Sequence, residues 1–224
     1  LFMDNEQGEP LLSHNPFSGV VRSVTPKRDL VADWMNDETV IELEDAARRL
    51  YPGEVGLLVA AIVRFAAEVG LRPGELWAAR IADADIDGGT FVVRNAWESR
   101  TRTFSTPKNG KKRMVALTDQ AIDAVLAVER PVDCEWLFPA PSGTHFTSSK
   151  WMYYWKPVRT LIGRPEMHFY EMRHHCATRL LELGLTPEDV GVQLGHSNGQ
   201  LVRDVYGHPA ARHAITRIRE VSNT

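Results

Sequence analysis

Apolar residues recur at helical spacing through most of the first half of the chain. The segment 38–50, ETVIELEDAARRL, has a helical pattern, and the segment 54–70, EVGLLVAAIVRFAAEVG, is apolar on nearly every side. We therefore expect the second segment to be a buried central helix that ends at Gly70. Pro73 suits the first turn of a further helix, and this places Arg72 beside the N-terminus of that helix.

The middle of the chain changes to strand-like patterns. The runs TFVVRNAW (90–97) and KRMVAL (112–117) are predicted strands. The segment between them contains Lys108 and an Asn109-Gly110 pair, which favours a tight turn. Because helical patterns dominate elsewhere, we expect a mainly α fold with a small antiparallel β-sheet, which is an α+β class.

Aromatic residues mark the C-terminal half. In WMYYWKPV, four side chains at i, i+3, i+4 and i+7 predict a core stripe rather than a binding platform: Trp151, Tyr154, Trp155 and Val158. A helix is then predicted from Tyr170 to about Leu183. Its apolar face is predicted to comprise Met172, Cys176, Leu180 and Leu183.

Capping signals predict the last helices. Thr186 and Pro187 open a helix that Gly195 closes, so His196 lies just past its end. A final pair of helices is predicted over 199–206, which ends at Tyr206, and over 210–220.

Composition limits the possible classes of protein. The 224 residues, 43% of them hydrophobic, suffice for one sizeable core, or for one domain and a remnant of another. No run of eighteen apolar residues occurs, so we expect no membrane partner. Cys134 and Cys176 are far apart and form no disulfide framework, which indicates a reducing, cytoplasmic compartment.

The distribution of charge says more than the formal net charge of −3. The stretches 94–113 and 150–179 are locally basic, and such patches favour a polyanion. Ordinary solvated surface is the alternative for each stretch. Within the first stretch, the predicted DNA-binding residues are Arg100, Arg102, Lys111, Lys112 and Arg113.

The run HFYEMRHH (168–175), followed by Cys176, raises the question of a metal site. Zinc ligands must converge, but His174, His175 and Cys176 are consecutive on a helix, where side chains diverge by about 100° each. No C-x-x-C spacing exists, and His168 with His174 has no evident further ligand. We therefore expect no metal here.

A phosphate site fits the same run better. Arg173 lies on the first turn of its helix, and Tyr170 lies three residues earlier on the same face. Arg72 lies at another helix N-terminus, where backbone N–H groups favour anions. Two arginines can clamp the non-bridging oxygens of a phosphate through paired, charge-assisted hydrogen bonds.

Five motifs occur in the order found in the catalytic domain of the tyrosine recombinases, also called the phage integrase family. They are LRPGEL (71–76), TPKNGKKRMVAL (106–117), YEMRHHCATRLLELG (170–184), VQLGHSN (192–198) and VRDVYGHP (202–209). The chain resembles this family over about residues 31–215, which implies the family's catalytic-domain fold for 31–224. Residues 1–30 are then a linker or the remnant of a missing N-terminal core-binding domain.

The resemblance also implies roles for single residues. Arg72 and Arg173 match the two catalytic arginines, and Glu75 matches a supporting acid. Lys108 matches the lysine of the β-hairpin, with Lys111 as the nearby competitor.

At the C-terminal end, His196 matches a phosphate-binding position and Tyr206 matches the nucleophile. The rival tyrosines, Tyr153 and Tyr154, are expected in the core stripe. Tyr170 stands where the family usually has histidine, and a phenol, which ordinarily has a pKa near 10, is a poor proton shuttle at neutral pH. His174 is expected to support the site.

The implied activity is site-specific DNA recombination through a covalent 3′-phosphotyrosine, with neither cofactor nor metal. The implied partners are double-stranded DNA and further copies of the chain in a tetramer. Three alternatives stay open at this point. The chain could be a DNA-binding accessory module of the same fold with weak or lost catalysis, a type IB topoisomerase-like enzyme, or a metal-binding regulator.

Overall fold

A computed structural model describes residues 35–107, 110, 112–196 and 202, all of which belong to one unit, Trp34–Thr224. Its helices are α1 (Asp37–Leu50), α2 (Glu54–Val69), α3 (Pro73–Trp77), α4 (Asp119–Leu126), α5 (Ser148–Leu161), α6 (Glu171–Glu182) and α7 (Pro187–Leu194). Its strands are β1 (Ala84–Asp85), β2 (Thr90–Val93), β3 (Ala96–Glu98), β4 (Thr103–Ser105) and β5 (Arg113–Ala116). The predicted segment 1–30 and the predicted helix 210–220 lie outside the described residues.

Helix α2 is the central helix that its apolar sequence predicts. Twelve of its sixteen residues are buried, and it packs against α1, α4 and α6. Gly70 ends it in the left-handed conformation, at φ 71°. A Cβ at this position would lie 2.6 Å from Leu194 Cδ2 and 2.9 Å from Cys176 Sγ. Glycine therefore allows α6 and α7 to approach the C-terminal end of α2.

The β-structure is divided into two small sheets. Strands β1, β2 and β5 form an antiparallel sheet in that order, and β3 pairs with β4 in a separate antiparallel ribbon. The single strand predicted over 90–97 is therefore two strands. Phe91 and Val93 are buried at odd positions and Ala96 at an even one, and one strand cannot bury both sets on the same face.

The aromatic stripe on α5 is confirmed as core. Trp151, Trp155 and Val158 are fully buried, and Tyr154 packs against them. Tyr153 is an exception to the expectation that both tyrosines are core residues, since it is 72% exposed. It lies on the opposite side of the helix from Trp151 and Trp155.

Helix α6 buries a slightly different face from the predicted one. Met172 and Cys176 are buried as expected, but Leu183 is 63% exposed because the helix ends before it. Leu181 takes the buried position and packs with Val190 of α7. Among the described helices, none combines the length and the apolarity that crossing a bilayer requires.

Candidate active site

The site begins where the chain leaves α2 and enters α3. Pro73 disfavours helical backbone at the preceding residue, and Arg72 is accordingly extended, as the N-cap of α3. Its backbone N–H donates to Glu75 Oε2 at 2.9 Å, and its Nη1 donates to Glu75 Oε1 at 2.9 Å. Helix α3 thereby holds Arg72 against its own first turn, with the Arg72 side chain 22% exposed.

Glu75 is the acidic centre of the site. It is 2% exposed, and Arg113 from β5 donates to its two carboxylate oxygens at 2.9 and 2.8 Å. Burial on its own raises the pKa of Glu75, but the hydrogen bonds and charges of Arg113 and Arg72 outweigh burial, and the pKa is lowered overall. The carboxylate is thus an anion that orients two arginines.

Arg173 is the buried cation of the site, at 2% exposure on α6. Its Nη1 donates to Gly70 O at 2.7 Å, and its Nη2 donates to Leu194 O at 2.6 Å. These carbonyls belong to the C-terminal ends of α2 and α7, where helix dipoles favour positive charge. Burial lowers the pKa of Arg173, and the nearby charge of Arg72 lowers it further.

His196 lies just past α7, with Nε2 3.0 Å from Arg173 Nη2. A guanidinium only donates, so Nε2 accepts and the ring proton is on Nδ1. Burial lowers the pKa of His196 to about 4, and the charges of Arg173 and Arg72 act in the same direction. His196 is therefore neutral at pH 7. Its Nδ1 is buried and has no hydrogen-bond partner among the described residues.

The assembled charges favour an anion. Three arginines, Arg72, Arg113 and Arg173, surround one carboxylate, that of Glu75. The N–H of His196 adds a neutral donor beside them. A phosphate group would supply the missing negative charge and the missing acceptors.

Tyr170 and His174 lie at the start of α6. Tyr170 is the N-cap residue and is 42% exposed, and its ring meets the His174 ring edge-on at 5.1 Å between centroids. Burial and the charge of Arg173 lower the pKa of His174. Among the described residues, no group of three or more His, Cys, Asp or Glu side chains could hold a metal ion.

The remaining predicted residues fall into three groups: those outside the described residues, those on the surface, and one inside the site. Lys108, Lys111 and Tyr206 lie outside the described residues. Arg100, Arg102 and Lys112 are exposed, as DNA contacts require. Arg113, predicted among those surface contacts, has a side chain that is only 13% exposed and holds Glu75 inside the site.

Sequence reasoning missed the role of Arg113, although a signal existed. Arg113 and Val115 lie two residues apart on β5, so they point to the same face of the sheet. Val115 is apolar and buried, which places Arg113 on the inward side as well. The role of Gln193 was also missed. It bonds β5 and the end of α2.

Comparison with known proteins now identifies the class. Residues 34–213 match the phage integrase family, and the chain belongs to that family. The mainly α fold, with its small antiparallel sheets, is that of the tyrosine recombinase catalytic domain.

Among curated relatives, the chain is 27% identical over 224 residues to the putative defective protein IntQ of Escherichia coli strain K12, covering 88% of this chain and 54% of the relative. It is 28% identical over 204 residues to the tyrosine recombinase XerD of Caulobacter vibrioides, covering 86% of this chain and 63% of the relative. The chain therefore spans less than two thirds of the length of either relative.

Solved structures show the same fold. The Tn1549 transposon integrase in complex with transposon right end DNA superposes with a TM-score of 0.70 at 18% identity, covering 96% of this chain and 74% of that one. The XerA recombinase superposes with a TM-score of 0.64 at 22% identity, covering 84% of this chain and 64% of that one.

Proposed function

We propose that this chain is the catalytic part of a site-specific DNA recombinase that cuts and rejoins strands through a covalent 3′-phosphotyrosine. The observation that carries the proposal is the cationic site in which Arg72 and Arg173 lie near one buried carboxylate, that of Glu75, and His196 beside Arg173 has a buried Nδ1 without a hydrogen-bond partner among the described residues. XerD of Caulobacter vibrioides and XerA are recombinases, and the Tn1549 integrase is complexed with DNA, which supports the same assignment.

The phenol oxygen of Tyr206 attacks a phosphodiester phosphorus, and the bond from phosphorus to the 5′ oxygen breaks. The phosphate becomes a 3′-phosphotyrosine, and a strand with a 5′-hydroxyl leaves. Arg72 and Arg173 stabilise the charge that develops on the non-bridging oxygens, and His196 Nδ1–H donates to one of them. Neutral His196 suits this donor role, since it needs no protonation at pH 7.

Lys108 protonates the leaving 5′ oxygen as general acid in this scheme. A 5′-hydroxyl of a second DNA end then attacks the phosphotyrosine and releases Tyr206, so the bond energy is conserved without a nucleotide cofactor. Exchange between two duplexes requires several active sites, so we infer a tetramer on DNA. Arg100, Arg102, Lys111 and Lys112 supply backbone contacts. The cytoplasmic compartment stays a prediction.

A nicked DNA substrate tests the proposal, because the short strand released by cleavage diffuses away and traps the covalent complex. The wild type should form an adduct that survives denaturing electrophoresis and forms equally in EDTA. Tyr206→Phe should form none, and Tyr153→Phe, which alters an exposed tyrosine, should match the wild type. The proposal would be overturned if no adduct formed on any of the attachment sites tested.

A DNA-binding accessory module with weak catalysis is the second candidate, and the observation that favours it is Tyr170. This residue replaces the family's usual histidine and lies at the start of α6, three residues before Arg173. DNA binding without adduct formation, under the same conditions, would support this candidate.

A further inference from the structure

Four hydrogen-bond donors occupy the carboxylate of Glu75. Arg113 donates from Nη1 to Oε1 at 2.9 Å and from Nη2 to Oε2 at 2.8 Å, which makes a planar, two-point fork. Arg72 donates from Nη1 to Oε1 and from its backbone N–H to Oε2, each at 2.9 Å. An ionised carboxylate accepts about four hydrogen bonds through its two oxygens, so this one has no place left for a further donor.

In the part of the chain that the structure describes, the side chain of Arg72 bonds Glu75 through one terminal nitrogen, Nη1. The second terminal nitrogen, Nη2, lies 3.5 Å from Gly195 O, at the outer limit of a hydrogen bond. A substrate phosphate would offer Nη2 a shorter, charge-assisted bond. Arg72 can therefore use one nitrogen as an anchor and another for the substrate, provided that the other positions on Glu75 are taken.

Arg113 itself is poorly placed to bind a substrate. Both of its terminal nitrogens bond Glu75, and its side chain is only 13% exposed. Its Nε is buried and has no hydrogen-bond partner among the described residues. The Arg113 side chain also lies against the backbone at Gly195, where an added Cβ would be 2.6 Å from Nε. Arg113 is thus held from two sides in an orientation that serves Glu75 rather than a ligand.

We propose that Arg113 is a positioning residue that keeps Arg72 directed at the substrate by occupying Glu75. Without the Arg113 fork, the carboxylate has two open acceptor positions and one neighbouring guanidinium. The strongest arrangement of that pair is itself a two-point fork, in which Arg72 turns a second nitrogen away from the substrate and towards Oε2. This inference rests on the proposed function, because it concerns the phosphate that Arg72 binds in the cleavage step.

Two substitutions of Arg113 separate this role from a general effect of charge. Arg113→Met removes both the fork and the charge, whereas Arg113→Lys keeps the charge but offers a single ammonium in place of the planar fork. On nicked DNA at saturating protein, we expect Arg113→Met to form the adduct about 100-fold more slowly than wild type, because one donor to the developing charge is lost. Arg113→Lys should be about 10-fold slower than wild type. A wild-type rate for Arg113→Lys would mean that only the charge matters and would overturn the inference.

Removing the carboxylate as well should rescue Arg113→Met. In the double variant, Arg113→Met with Glu75→Gln, no anion competes with the substrate for Arg72. The double variant should therefore form the adduct about 10-fold faster than Arg113→Met alone, although Arg72 then lacks its anchor and the wild-type rate is not regained. Damage from a loosened fold would instead grow with the second substitution. A double variant no faster than Arg113→Met would contradict the inference.

Arg94→Met is the matched control, because Arg94 also pairs with a buried carboxylate, that of Asp83. Neither residue of this pair bonds Arg72, Glu75 or Arg173 among the described contacts. Arg94→Met should form the adduct at the wild-type rate at saturating protein. If Arg94→Met were as slow as Arg113→Met, the loss of any such ion pair would suffice to damage the enzyme, and the specific role of Arg113 would be disproved.

A crystal structure of Arg113→Met separates failure of this inference from failure of the proposed function. A second side-chain nitrogen of Arg72 should lie within about 3.2 Å of Glu75 Oε2, whether or not the chain cleaves DNA. An Arg72 side chain in its wild-type position would overturn the inference even for an active enzyme. If Arg72 moves as expected but wild type forms no adduct on any site tested, the proposed function fails, and the role of Arg113 in cleavage fails with it.

Discussion

Glu75 shows how one buried carboxylate organises the candidate site. It accepts from the backbone and side chain of Arg72 and from both terminal nitrogens of Arg113. A carboxylate this deeply buried is favourable only because the two guanidinium groups compensate for its lost hydration. Glu75 therefore determines where Arg72, the proposed phosphate-binding arginine, lies.

Glu75→Gln should lower the free energy of unfolding at pH 7 by about 3 kcal/mol, because it leaves two partly buried guanidinium groups without their counter-charge. Urea unfolding measures this. Glu135→Gln is the control, since its ion pair with Arg80 is 40–50% exposed and should cost at most about 1 kcal/mol.

The effect of Glu75→Gln should also depend on pH. The pKa of Glu75 is lower in the folded than in the unfolded chain, so its contribution is present above the usual value of 4.5 and is lost as the pH falls through the folded pKa. The difference between wild type and variant should therefore shrink as the pH falls below 4.5 and through the lowered pKa of the folded state. A difference that stays constant would contradict the assignment of an ionised Glu75.

The protonation of the His196 ring leads to a second prediction about pH dependence. Its pKa of about 4 means that its ring should stay neutral throughout the range in which an ordinary histidine titrates. The unfolded chain binds the proton more readily, so this group's contribution to stability is complete above the usual pKa of 6.5 and falls below it. An NMR titration should place the His196 midpoint near 4, and a midpoint above 6 would disprove the buried, arginine-flanked setting.

Tyr170→His tests the departure from the family. If Tyr170 occupies the usual histidine position, restoring an imidazole should keep the adduct-forming rate or raise it, because imidazole exchanges protons near neutral pH. The measurement is the initial rate on nicked DNA, with His168→Tyr as a control outside the motif's register. Complete loss of activity would mean that the match at residue 170, or its role, is wrong.

At the scale of elements, local signals predicted most of the helices and fewer of the strands. The ends of α2 and α7 follow from glycines that adopt left-handed backbone, and the start of α7 follows from Thr186 and Pro187. The division of 90–97 between β2 and β3 does not follow from local sequence signals, because it depends on which sheet buries each residue. The bond of Glu75 to Arg113 spans 38 residues, and that of Arg173 to Gly70 spans 103, so no local pattern specifies either contact.

Gly195, the residue that ends α7, lies close to Arg113 of β5, and this contact leads to a prediction at the scale of elements. It has φ 70°, and an added Cβ would lie 2.6 Å from Arg113 Nε. Arg113 cannot move aside easily because Glu75 holds it. Gly195→Ala should cost about 1 kcal/mol for the left-handed backbone and about 2 kcal/mol more for the clash, as measured by urea unfolding.

Gly163→Ala is the matched control for this substitution. Gly163 also has a left-handed backbone, at φ 74°, but nothing lies within 4 Å of the added Cβ. Only the backbone cost of about 1 kcal/mol should remain. Equal destabilisation by the two substitutions would show that Arg113 does not pack against Gly195.

At the scale of the whole molecule, the net charge of −3 conceals a cationic site. The positive charge is concentrated where Arg72, Arg113 and Arg173 converge, and DNA responds to local potential rather than to the total. Motif order predicted the family, which the family match confirms, and it predicted the roles of Arg72 and Arg173, which stay predictions. The bond of Arg113 to Glu75 and the bond of Gln193 to Ala116 depend on how β5 packs against α3 and α7, which the sequence does not specify.

Mapping the covalent link tests the central claim most directly. The adduct on nicked DNA is digested with protease and nuclease, and the modified peptide is sequenced by mass spectrometry. The account predicts one phosphotyrosine, at Tyr206, joined to a DNA 3′ end, with a free 5′-hydroxyl on the released strand. A link at Tyr153, at Tyr170 or at a serine, or a link to a DNA 5′ end, would contradict it.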